Sequence, residues 1–102
     1  MDPNGAQAHL ERAIAALARD IAGLDTRDAC ARIAWLRREA VAEGFLPAAA
    51  MADGLAEALQ RQGRATPVKT WLDALTLAAG CGAGTPETTP ALLATVGVRF
   101  AA

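Results

Sequence analysis

The sequence predicts an all-α protein, an up-down-up-down four-helix bundle. Three observations point to it. Ala supplies 27 of the 102 residues. Glycines recur at Gly23, Gly44, Gly63 and Gly82, spaced by 21, 19 and 19 residues. Between them, Leu, Ile and Ala return at intervals of three and four, the repeat of one helix face. Ala loses no side-chain entropy in a helix. Val and Ile are few, so strand-forming material is thin. A chain of 102 residues suits one domain, and that length buries roughly two thirds of its unfolded surface without a metal or disulfide staple.

The first helix is expected over residues 6–22. Leu10, Ile14, Leu17, Ile21 and Leu24 form its seam, and Glu11, Arg12, Arg19 and Asp20 face outward. The second is expected over 26–43, with Asp25 as N-cap and Asp28 three residues on in a capping-box arrangement. Ala29, Ile33, Leu36 and Ala40 make its inner stripe, flanked by Cys30 and Val41. The third is expected over 47–62, opened by Pro47, with Met51, Leu55 and Leu59 inside. The fourth is expected over 67–79, capped by Thr66, with Pro67 in first place and Val68, Trp71, Leu72, Leu75 and Ala79 facing the core. Each glycine is a candidate stop, because Gly enters the left-handed conformation without a Cβ clash. The short loops make successive helices antiparallel.

Residues 1–82 are therefore read as the bundle and 83–102 as a C-terminal tail, packed on the bundle or used for docking. The run Gly80-Cys81-Gly82-Ala83-Gly84-Thr85-Pro86 reads as a loop. Pro90 can open a short helix through Ala94. Val96, Val98 and Phe100 alternate with Gly97 and Arg99 in a strand pattern.

A formal net charge of −1 gives no bulk attraction to nucleic acid or to an anionic membrane. The uncharged stretch between Asp73 and Glu87 is broken by three glycines and Pro86, which rules it out as a membrane span. The first residues, Met1-Asp2-Pro3-Asn4-Gly5, have no signal-peptide pattern, so the expected location is the cytoplasm. There Cys30 and Cys81 are expected as free thiols, Cys30 packed in the helix and Cys81 more accessible; the alternative is a disulfide between them. Two thiols and one distant histidine make no metal-ligand cluster, and no cofactor motif is present.

His9 is the single histidine. Phosphotransfer domains are also helical bundles with an exposed histidine, which they follow with a run such as His-x-Leu-Lys-Gly. Here the run is His9-Leu10-Glu11-Arg12-Ala13, with an acidic residue beside the acceptor and no glycine. A solvated surface histidine fits it better. No Ser-His-Asp or Cys-His pairing is inferable, and the Gly80–Gly84 run lacks the Lys-Ser/Thr ending of a phosphate loop. Catalytic residues are therefore expected to be absent.

Two surfaces are candidates for binding. Ile33 and Leu36 claim the inner face of the second helix, which leaves Trp35 at the seam edge or outside, with Ala31, Arg38 and Ala42 beside it. Trp35, Arg38 and Ala42 form a candidate partner surface, since Trp and Arg are favoured at interface centres. The alternative is that Trp35 packs under the tail or between helices. Arg61, Arg64 and Lys69 surround the turn into the fourth helix and form a candidate anion or acidic-partner patch; the alternative is ordinary solvated charge, as it is for Arg32, Arg37 and Arg38. Exposed alanine faces, Ala48 to Ala50 among them, suggest self-association.

The functional expectation is a non-enzymatic helical interaction or regulatory module that binds another protein or a second copy of itself. A phosphotransfer-like signalling bundle using His9 is the alternative. A small nucleic-acid-associated protein is the third reading, disfavoured by the charge and by the single basic residue in Thr66-Pro67-Val68-Lys69-Thr70.

Overall fold

Asp25 starts the second helix as its sequence signal demands: its Oδ1 accepts a hydrogen bond from the Asp28 amide at 2.7 Å. In the computed structural model, which describes residues 3–82, 90, 93 and 94, the helices are α1 (Pro3–Asp20), α2 (Thr26–Ala42), α3 (Leu46–Gln62) and α4 (Val68–Gly80). Short 3-10 turns, Ile21–Gly23 and Gly63–Ala65, extend α1 and α3. Asp25→Ala removes the cap and is expected to cost about 1 kcal/mol of unfolding free energy, measured by urea denaturation; an unchanged midpoint would show the cap to be idle.

α1 packs against α2 and α4, and α3 packs against the same two helices, so the four close into a bundle. The up-down-up-down order is visible at one end, where Ile21 and Leu24 after α1, Thr26 opening α2, Leu59 late in α3 and Val68 opening α4 line a single cleft. Among the described residues there is no strand.

The core follows the predicted stripes: Leu10, Ile14 and Leu17 from α1; Ala29, Ile33, Leu36 and Ala40 from α2; Met51, Leu55 and Leu59 from α3; Trp71, Leu72, Leu75 and Ala79 from α4. Ile21 and Leu24 are half-buried against it. α3 is buried more widely than one stripe, because it touches both α2 and α4. Ala48 and Ala49 lie inside and Ala50 is half-buried, which removes the 48–50 segment as an exposed self-association face.

Gly54, midway along α3, makes room for the fourth helix. A Cβ there would stand 2.6 Å from two carbons of the buried Trp71 ring.

Two local expectations are corrected. Gly23 does not stop α1 in the left-handed region; it ends a 3-10 turn, whereas Gly44, Gly63 and Gly82 do have positive φ. At Gly63, φ 55° with ψ −127° is a backbone state essentially restricted to glycine. Thr66 does not cap α4, whose N-cap is Pro67. The Thr66 hydroxyl points back and donates to the Gly63 carbonyl at 2.7 Å and toward that of Ala58 at 3.2 Å. Thr66 thus ties the Gly63–Ala65 turn back onto the last turns of α3, its amide bonding the Gly63 carbonyl as well at 3.1 Å. Thr66→Val, which keeps the shape and deletes the donor, is expected to lower stability by about 1–2 kcal/mol in the same denaturation assay.

Pro90, Leu93 and Ala94 are helical, at positions of the short helix expected there. The strand pattern of Val96, Val98 and Phe100 lies outside the described residues.

Candidate functional site

Two of the residues that α1 turns toward α2 are small: Ala13 and Ala16, one turn apart. They face Arg32, Trp35 and Leu36 of α2. Small side chains on one wall and a long indole on the other leave a surface groove of about 320 Å³. Its floor is Leu17 and Leu36, both buried. Trp35 is 39% exposed and stands on the lip.

Two contacts hold this lip in place. The His9 ring from α1 meets the Trp35 ring edge-on, centroids 6.3 Å apart at 68°. His9 Nε2 also lies 3.8 Å from Glu39 Oε2, one turn further along α2. At the opposite end of the groove, Arg32 reaches Asp20 of α1 at 3.4 Å. Arg37 joins α2 to α3 through Asp53 at 2.6 Å. These are exposed or half-exposed pairs, each worth about 1 kcal/mol or less, so they orient the rim and do little to hold the fold.

Arg38 and Ala42 continue the exposed side of α2 from Trp35, both open to solvent. The candidate partner residues Trp35, Arg38 and Ala42 therefore share one solvent-facing side. Sequence reasoning missed the contribution of α1. His9, Ala13 and Ala16 follow each other at intervals of four and three, a stripe beside the Leu10-Ile14-Leu17 seam, and that spacing was the available signal.

No protein-family model, curated protein or solved structure matches this chain. The site is therefore read from its own residues.

Arg61 lies in the last turn of α3, Arg64 in the 3-10 turn that follows and Lys69 in the first turn of α4. Arg61 pairs with Glu57 at 3.1 Å and Lys69 with Asp73 at 3.2 Å, both one turn away on their own helices. Arg64 alone of the three lines the cleft at that end of the bundle, which measures about 440 Å³. The other ionisable residue lining this cleft is Asp25, whose carboxylate is already engaged as the α2 cap.

Cys30 and Cys81 are free thiols, Cys30 half-buried with its Sγ 4.0 Å from the Ala56 carbonyl and Cys81 exposed. Among the described residues, no three His, Cys, Asp or Glu side chains cluster as metal ligands. Among the same residues, no helix is long and apolar enough to cross a membrane.

Proposed function

We propose that this chain is a non-enzymatic interaction or regulatory module that docks a partner protein in the α1–α2 groove, with Trp35 as the anchor. One observation carries the reading: a tryptophan 39% exposed on the lip of a groove that is apolar apart from Arg32. An exposed large apolar side chain on a monomer leaves favourable burial unrealised. Trp beside Arg is the composition of an interface centre, and Trp35 has Arg38 one turn away. The indole is also pre-positioned by His9, so little side-chain entropy remains to be lost on binding.

Free thiols at Cys30 and Cys81 suit a reducing compartment, and the cytoplasm remains the proposed location. The partner is another protein or a second copy of the chain. His9 serves as a support for Trp35 in this reading, with the Glu39 carboxylate beside it.

The test compares the proteins that co-purify with tagged wild-type chain and with Trp35→Ala from the source cell, alongside sedimentation of each alone. Loss of a specific partner, or of a dimer, on Trp35→Ala is expected. An identical set of partners and an identical mass would refute the groove as the docking surface.

A further inference from the structure

We draw no further inference here: the strongest candidate, the cleft of about 440 Å³ at the end of the bundle between the α1–α2 and α3–α4 turns, is lined by one guanidinium, Arg64, and one carboxylate, Asp25, so its charge selects no class of ligand, and nothing in the structure shows what covers it.

Discussion

Gly54→Leu is expected to destabilise the fold by about 3–5 kcal/mol, as much as truncating a buried tryptophan. On helix propensity alone the substitution should help, since Leu exceeds Gly by nearly 1 kcal/mol in a helix interior. The geometry reverses the sign. The space where a Cβ would stand is occupied by the far edge of the Trp71 indole, at 2.6 Å from two ring carbons. That ring is buried, and rigid beyond χ2, so it has no free end to swing aside. A larger side chain at 54 must push the indole out of the α3–α4 contact. Gly54→Ala is the milder form, with overpacking of about 1–3 kcal/mol set against the propensity gain. A double-mutant cycle checks the cause: in a Trp71→Leu background, Gly54→Ala is expected to become stabilising by about 1 kcal/mol. The same destabilisation in both backgrounds would show that Trp71 is not the reason glycine occupies position 54.

The second large effect concerns binding. Trp35→Ala is expected to weaken partner affinity by about 2 kcal/mol or more, roughly thirtyfold, as loss of an interface anchor does. The magnitude follows from area. An indole side chain presents about 250 Å² at most, and 39% of it remains exposed. Covering that remainder of roughly 100 Å² is worth about 2.5 kcal/mol. Arg38→Ala is expected to cost less, because a guanidinium on a solvated rim contributes modestly. Calorimetric titration with the partner measures both. If Trp35→Ala binds as the wild type does, the indole is surface decoration and the groove has no role.

The helices were legible in the sequence because their signals are local. Asp25, Pro47 and Gly63 each mark a boundary through their own backbone chemistry, and the structure places all three where that chemistry operates. The start of α1 at Pro3 instead of Ala6 is an exception, beside Gly23 and Thr66: Asn4 and Gly5 are poor helix formers, but a proline in the first turn is pre-set for helix. What depends on two helices at once was not legible. Gly54 looks like a weak point in a helix until Trp71, 17 residues later, is seen against it. The segment 48–50 looks exposed until α3 is seen to serve two neighbours. Trp35 could be placed at a seam edge from the 100° step alone. The groove beneath it could not, because its depth comes from Ala13 and Ala16 on another helix.

The most direct measurement is of the two tryptophan indole N–H resonances, assigned with Trp35→Phe and followed as the co-purified partner is titrated into the labelled chain. The predicted result is a large shift of the Trp35 signal, with His9 and Ala16 amides moving alongside and Trp71 unmoved in its core position. A ligand that binds while Trp35 stays still, or that moves residues of the 440 Å³ end cleft around Arg64 instead, would contradict the docking surface assigned to α1 and α2.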